Sequence, residues 1–168
     1  MFQIGQTVLY GMEGVCTIEE RQKMKVGHTR AFYYVLRPVF RPNSTIFVPE
    51  DNEALLSKMR PVLSREEIAQ ILHDAPEQEL DWVEDPNERK TEYQIILLSG
   101  NRLLIIRMIY ALMQHREKLQ KHGKHLRSAD EQLLRDAQKL LHDEFALVLN
   151  ISQNEVPDYI RAQIELSA

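Results

Sequence analysis

The residues of this chain that could carry out chemistry are six histidines, one cysteine and several pairs of adjacent acids. His115, His122 and His125 lie close together in the sequence, but Gly123 separates the last two at a predicted helix end. Neither a cysteine nor an acidic residue joins them at a spacing that is typical of zinc sites. We therefore expect no metal site and no cofactor.

Cys16 falls in a predicted strand, where a lone cysteine is usually a small core residue rather than a nucleophile. The acid pairs Glu66–Glu67 and Asp143–Glu144 fall on predicted helix surfaces, where charges are ordinary. The sequence contains no glycine-rich phosphate loop and no serine elbow. These observations predict a protein that is not an enzyme. An enzyme that uses the three histidines remains an alternative, and a metal analysis of the purified protein would test it.

The composition bounds the class of protein. With one cysteine the chain can form no internal disulfide, which is typical of a protein in the reducing cytoplasm. No apolar run reaches membrane-spanning length, and the N-terminus lacks the basic and apolar regions of a signal peptide. The 168 residues, 43% of them hydrophobic, suffice for one domain or two small ones.

Charge is unevenly distributed along the chain, whose net charge is −4. Residues 101–127 carry seven basic and one acidic side chain, whereas residues 57–100 carry five basic and ten acidic ones. On a helical wheel the polar side of the basic segment holds, within about 60°, Arg107, Gln114, Lys118 and Lys121. The opposite side holds Ile105, Met108, Ile109, Leu112 and Leu119. A face with one sign of charge favours contact with phosphates, and the alternative is a solvated helix face.

The first third of the chain has the pattern of β structure. Four short segments rich in β-branched and aromatic residues are separated by turn signals, and they read QTVLY, GVCTIEE, AFYYVLRP and STIFVP. The turns fall at GMEG, at a hairpin tip in KVGH, and at FRPN. Four or five antiparallel strands of this length predict a small barrel or a strongly bent sheet.

The remainder has helical periodicity and clear helix start signals. Ser64 and Glu67 form a capping-box pattern, and Asp85 precedes a proline at the first position of the next helix. The same cap pattern recurs at residues 128–131 and 152–155. We expect helices near residues 64–74, 86–98, 101–122, 128–148 and 155–166.

Trp82 is the only tryptophan, and it lies in an unusual place. The surrounding segment, LDWVEDPNERK, is acidic, contains a proline and has neither strand alternation nor a helical stripe. A large apolar side chain is thus placed in a charged connection just before a helix start. One interpretation is a plug between two domains, since tryptophan is usually well buried. The other is a surface contact for a partner.

Several segments, in the right order and over nearly the whole chain, resemble the CarD/CdnL family of bacterial transcription regulators. They are FQIGQTVLYGMEGVCTI at the N-terminus, FVPEDN at residues 47–52, RKTEYQIILLSGNR, and ADEQLLRDAQKLLHDEFALVL at residues 129–149. The N-terminal segment is also similar to the polymerase-interacting module of transcription-repair coupling factor.

The resemblance implies a two-domain protein, β and then all-α. Residues 1–56 would form a Tudor-like antiparallel β module that docks on the β subunit of bacterial RNA polymerase. Residues 57–168 would form a compact bundle of about five helices that meets promoter DNA at the upstream edge of the bubble and stabilises the open complex. The family places a tryptophan there as a wedge against the minor groove, and Trp82 is the candidate.

These considerations assign residues to two surfaces. For the polymerase contact we expect Arg37, Arg41, Phe47 and Pro49. For the DNA contact we expect Trp82, Arg89, Lys90, Arg107, Lys118 and Lys121. A monomer with a net charge of −4 should bind free DNA weakly, so tethering to polymerase would supply the local concentration.

The chain departs from the family pattern in ways that bear on function. Asp81, Glu84 and Asp85 surround the tryptophan where some members place arginines, and acids near phosphates are unfavourable. Phe47 stands where some members carry an arginine. The alternative function is a protein-interaction adaptor that binds polymerase or another protein without touching DNA.

Overall fold

The computed structural model describes residues 1–167 and divides into two compact units, with the boundary after Val62. The sequence predicts this boundary after residue 56. The observed boundary is later because residues 59–61 form a strand that pairs with the first strand of the β unit. The pattern of three residues in that strand is too short to be recognised from the sequence.

The first unit is a five-stranded antiparallel sheet, as the sequence predicts. The strands are β1 (Thr7–Tyr10), β2 (Gly14–Val26), β3 (Thr29–Pro38), β4 (Ile46–Pro49) and β5 (Met59–Pro61), in the spatial order β4-β3-β2-β1-β5. A short helix, α1 (Glu53–Leu56), precedes β5 and was not expected. The side chain of Asn52 starts this helix by accepting a hydrogen bond from the backbone N–H of Leu55.

Strand periodicity builds the core of this unit. Residues two apart on the same strand point to the same face, so Val8 and Tyr10 on β1 are buried together. The buried cluster continues on the other strands with Cys16, Ile18, Tyr34, Leu36, Val48 and Met59. Beyond the bulge at Glu19 the β2–β3 hairpin extends from this core, and its tip lies at Gly27–His28, as predicted.

The second unit contains five helices in its described part. They are α2 (Arg65–Asp74), α3 (Pro86–Ser99), α4 (Arg102–Gln120), α5 (Ser128–Leu149) and α6 (Val156–Ser167). The predicted helices match these bounds to within two residues. None of the helices described is both long enough and apolar enough to cross a bilayer.

The start signals read from the sequence are confirmed at three positions. Ser64 and Glu67 form the capping box of α2, and Asp85 accepts hydrogen bonds from the first backbone N–H groups of α3. Ser152 and Glu155 form a capping box at a 3-10 turn that leads into α6.

The predicted cap at Ser128 is wrong, because that residue is already the first residue of α5. The residue before it, Arg127, makes no side-chain cap hydrogen bond. The acid two residues later, Asp130, turns inward and is 2% exposed. An acid in a helix start pattern can therefore pair with a residue that is distant in the sequence instead of capping its own helix. Here Asp130 pairs with Arg89 of α3.

The apolar stripe predicted on α4 lies in the core of the helical unit. Ile105, Met108, Ile109 and Leu112 are buried, together with Phe145 of α5. Helix α5 also carries a buried charge, because Glu144 accepts hydrogen bonds from Arg102 at 2.7 and 2.9 Å.

The expectation that Asp143 and Glu144 lie on a helix surface is wrong. They are 6% and 1% exposed. Glu144 is paired with Arg102 and also accepts a hydrogen bond from the backbone N–H of Leu63. Asp143 accepts one from the side chain of Gln153. Both acids are held in place by these hydrogen bonds, and removing a partner would leave a buried polar group uncompensated.

Candidate functional site

Trp82 lies in the connection between α2 and α3, and its side chain is half-buried. Residues 78–85 of this connection form neither helix nor strand, so the start of α3 must fix its end. Asp85 does this by accepting hydrogen bonds from the backbone N–H groups of Asn87 and Glu88, both at 2.9 Å. Pro86 adds a backbone angle that already suits the first turn of a helix.

Three side chains of the helical unit contact the indole ring. His115 of α4 stacks on it, with 3.9 Å between the ring centroids and 16° between the planes. Tyr93 of α3 meets it edge-on, with centroids 6.4 Å apart at 78°. The guanidinium of Arg89 lies over the ring, 4.4 Å from its centroid. Stacked, edge-on and cation–π contacts of this kind each restrict the orientation of the ring.

Arg89 joins three segments of the helical unit. Its guanidinium donates to both carboxylate oxygens of Asp130 on α5, at 2.9 and 2.6 Å. It also donates to the backbone carbonyls of Val83 and Glu84, at 2.7 and 3.3 Å. Arg89 is 3% exposed, and the hydrogen bond to Asp130 raises the pKa of its guanidinium.

This burial does not fit the expectation that Arg89 contacts DNA directly. All of its described hydrogen bonds are to protein groups, and the side chain is enclosed. A phosphate outside the unit could reach it only by breaking the ion pair. The next residue, Lys90, is exposed and remains a candidate for a phosphate contact.

The stacked pair of Trp82 and His115 stands between two open grooves of about 300 Å³ each. Both rings line both grooves, as does Glu84. Lys118 lines one groove, and Arg127 lines the other. The pair therefore forms a ridge with a cation on either side.

Arg127 was not singled out by the sequence analysis, although it ends the basic segment. His125 lines the same groove as Arg127, and both residues are exposed. Their position just before the start of α5 is the sequence signal that could have marked His125 and Arg127 as candidate contact residues. It does not reveal which groove they line, because that depends on how α5 packs.

The basic side predicted for α4 is only partly available to a partner. Arg107 is half-buried and donates to the backbone carbonyls of Asp74 and Ala75 at the end of α2, at 3.1 and 3.4 Å. It therefore caps a helix C-terminus. Lys118 and Lys121 are exposed. The helical wheel correctly predicts that Arg107, Lys118 and Lys121 share one side of α4. It carries no information about α2, whose C-terminal end contacts Arg107.

The three histidines considered as a metal set do not act together. His115 stacks on Trp82, and His122 and His125 are exposed. Within residues 1–167, the donor atoms that converge to within 4.8 Å belong to His73, Asp74 and Glu77 instead. His73 and Asp74 are hydrogen-bonded to each other at 3.1 Å, which accounts for their proximity.

Cys16 is fully buried in β2, as expected for a small core residue. Its thiol donates to the backbone carbonyl of Gly14 at 3.6 Å. Burial raises the pKa of this thiol to about 11, and the negative charge of Glu13 adds to the effect. A thiol with this pKa stays protonated at neutral pH and is a poor nucleophile.

The residues expected to bind polymerase lie on and beside β4 at the edge of the sheet. Phe47 is 45% exposed on β4, and Pro49 ends the strand. Arg37 donates to both carboxylate oxygens of Glu19. Arg41 pairs with a single carboxylate oxygen of Glu13, through one nitrogen. The two arginines are thus held in ion pairs, while the phenylalanine is not covered.

Comparisons with known proteins divide the chain as the structure does. Residues 2–63 match the family model of the CarD-like/TRCF RID domain. Residues 67–161 match the model of the CarD C-terminal domain. No curated protein sequence matches the chain. The first match covers the β unit, and the second covers most of the helical unit, including the Trp82 ridge.

Two histidines predict how stability depends on pH. Burial lowers the pKa of His115 below the usual 6.5, and the charge of Arg89 lowers it further; burial also lowers the pKa of His142. Below about pH 6.5 these two histidines therefore bind more protons in the unfolded chain than in the folded protein. We expect the free energy of unfolding to be greatest above about pH 6.5 and to fall as the pH drops below it.

Urea unfolding at about pH 7.5 and about pH 5.5 measures this effect. The double variant His115→Phe, His142→Phe should lose part of the difference between the two pH values. A parent protein that is equally stable at both pH values would contradict the prediction.

Proposed function

Since the chain belongs to the CarD family of RNA polymerase-interacting transcription regulators, we propose how its two units divide that work. The β unit docks on the β subunit of bacterial RNA polymerase. The helical unit contacts promoter DNA at the upstream edge of the melted bubble and stabilises the open complex. The protein is a regulator without catalytic activity.

The observation that carries the DNA contact is the ridge formed by Trp82 and His115. An apolar wedge works only if it is held at a surface, since it must meet a base step that costs a few kcal/mol to unstack. The indole is half-buried, so one part is anchored and another part reaches solvent. Its described ring contacts all lie within the helical unit.

The acidic neighbours are less unfavourable for DNA than the sequence implied. The carboxylate of Asp85 faces the first N–H groups of α3, where the helix dipole offsets its charge. On both sides of the ridge a cation is available, Lys118 in one groove and Arg127 in the other. Lys90 and Lys121 are exposed and add to this set. Phosphates on either side of the wedge would thus meet a cation, although the exposed Glu84 lines both grooves as well.

The β4 edge supports the polymerase contact. An edge strand carries backbone groups that can pair with a strand from another protein, and exposed side chains on it provide specificity. Phe47 projects from this strand with almost half of its surface exposed. Arg37 and Arg41 lie nearby, and their ion pairs with Glu19 and Glu13 would orient them for a partner.

One observation favours the adaptor as a second function. Arg107 caps α2 and so leaves the one-signed face of α4 with fewer cations than the wheel indicated. An adaptor would not need Lys118 or Lys121 for binding. The salt dependence of promoter binding separates the two functions.

We expect Phe47→Asp to weaken binding to the isolated polymerase β subunit at least about tenfold, because a charge at the centre of an apolar contact is desolvated without a partner. Surface plasmon resonance measures the affinity. Phe40→Asp is the matched control, since Phe40 is similarly exposed, at 38%, but lies outside β4. Equal affinities for the Phe47→Asp variant and the parent would place the contact elsewhere.

We expect Trp82→Ala to shorten the lifetime of the open complex, because the unstacked upstream step loses its apolar partner. The stability cost should be about 1–3 kcal/mol, below that of a fully buried tryptophan. Open-complex decay after competitor challenge and thermal unfolding are measured together. Trp82→Phe, which keeps an aromatic ring, should retain part of the lifetime. A large loss of stability with a normal lifetime would make Trp82 a structural residue only.

We expect the double variant Lys118→Gln, Lys121→Gln to flatten the salt dependence of promoter binding in the presence of polymerase. Each lost phosphate contact reduces the log–log slope by about 0.9 on duplex DNA. The control is Lys139→Gln, an exposed lysine of α5 that lines neither groove beside the ridge. A double variant with the slope of the parent favours the adaptor.

A further inference from the structure

We propose that His115, with Arg89 behind it, is the positioning residue that sets the angle at which Trp82 is presented. This inference rests on the proposed DNA contact and adds the part of the site that controls it. Neither residue needs to touch DNA. The His115 ring and the Arg89 guanidinium contact the indole, and the Asp130 carboxylate holds Arg89. We call these three groups the seat of the indole.

The need for a seat follows from where Trp82 lies. Its backbone belongs to a connection without helix or strand hydrogen bonds between residues 78 and 85. A side chain on such a segment is free to adopt several rotamers unless its ring is held. A wedge gains little from contacts that it makes in only one of several orientations, since ordering the ring on binding costs entropy. Rigidity must therefore come from the neighbours of the ring.

His115 supplies the contact that is most sensitive to orientation. Parallel stacking at 16° and 3.9 Å fixes the plane of the indole against a ring that is itself anchored on α4. That helix is built into the core by Ile105, Met108 and Leu112. The position of the tryptophan is thereby coupled to the buried core of the unit.

Arg89 holds the backbone on which the indole sits. Its hydrogen bonds to the carbonyls of Val83 and Glu84 begin one residue after Trp82. Its ion pair with Asp130 connects these carbonyls to α5. The same guanidinium lies over the ring, so one side chain restricts both the backbone and the side chain of the wedge.

The surroundings of His115 indicate why the residue is a histidine rather than a lysine or arginine. The charged groups around it are Arg89 on α3, Asp130 on α5, Glu84 in the connection and Lys118 on its own helix. A permanently charged side chain here would lie beside the guanidinium of Arg89. A neutral imidazole can stack on the indole without that repulsion.

The test uses Trp82 as its own reporter, since it is the only tryptophan in the chain. In the full-length protein, quenching of its fluorescence by acrylamide measures how freely the ring is reached, and steady-state anisotropy measures its local motion. We expect His115→Ala to increase quenching and to lower anisotropy. His115→Phe should restore both, because phenylalanine stacks as histidine does. Gln120→Ala, at an exposed position of α4, is the control.

The second measurement is the lifetime of the open complex formed with polymerase and promoter DNA. We expect His115→Ala to shorten it by roughly two- to tenfold, the range to which the energies of aromatic pairs correspond. His115→Phe should recover the parent lifetime. A shorter lifetime for His115→Ala without rescue by His115→Phe would overturn the stacking role, as would unchanged quenching in His115→Ala.

Arg89 requires a different variant, because removing it alone would leave the carboxylate of Asp130 buried without its partner. The double variant Arg89→Met, Asp130→Leu replaces the ion pair with apolar side chains of similar size, which folded proteins often tolerate. It still removes the hydrogen bonds to the two carbonyls. We expect it to increase quenching and to shorten the open-complex lifetime. If this double variant shows the same quenching and the same open-complex lifetime as the parent protein, the role of Arg89 is overturned.

The two arms separate this inference from the proposed function. If Trp82→Ala leaves the open-complex lifetime unchanged, the DNA contact is wrong, and the claim that the seat serves it falls too. The fluorescence arm, which uses no DNA, still decides whether His115 and Arg89 hold the ring. If Trp82→Ala shortens the lifetime but His115→Ala does not, the DNA contact stands and the seat is overturned.

Discussion

The buried ion pair between Arg89 and Asp130 is the interaction on which the functional half of this protein depends. Both charges are nearly excluded from water. An unpaired ion in such a buried position would cost several kcal/mol. The pair is tolerated because the guanidinium has further acceptors in the backbone of the connection, so its hydrogen-bonding groups are satisfied. The geometry of these bonds draws the start of α3, the start of α5 and the tryptophan segment to one point. A second pair, Arg102 with Glu144, similarly links α4 to α5.

The features that the sequence predicted well are those that local chemistry determines. Ser64 and Asp85 lie within three residues of the N–H groups that they cap, so the adjacent sequence suffices to predict their role. The spacing of Ile105, Met108 and Ile109 likewise reflects the repeat of a helix, and the β-branched and aromatic segments reflect the preference of such residues for strands. Helix and strand positions followed from these signals.

The features that were missed depend on partners that are distant in the chain. Arg89 and Asp130 are 41 residues apart, and Arg107 lies 33 residues from the carbonyl of Asp74 that it caps. Before the fold is known, each of these side chains resembles an exposed charge. Trp82 stays a predicted contact, but it was indicated by the sequence, because a tryptophan in an acidic, irregular segment has few ordinary explanations. Its stacking partner was not, since His115 was considered only as a metal ligand.

The two edges of the β sheet have a consequence for how long a partner stays bound. β4 contains four residues and ends at Pro49, and β5 contains three and ends at Pro61. Proline has no backbone N–H to donate, so a strand added to either edge could form only a short ladder. Short ladders protect the sheet from uncontrolled strand exchange and from fibre growth. They also favour rapid dissociation of an added strand, because few backbone hydrogen bonds hold it.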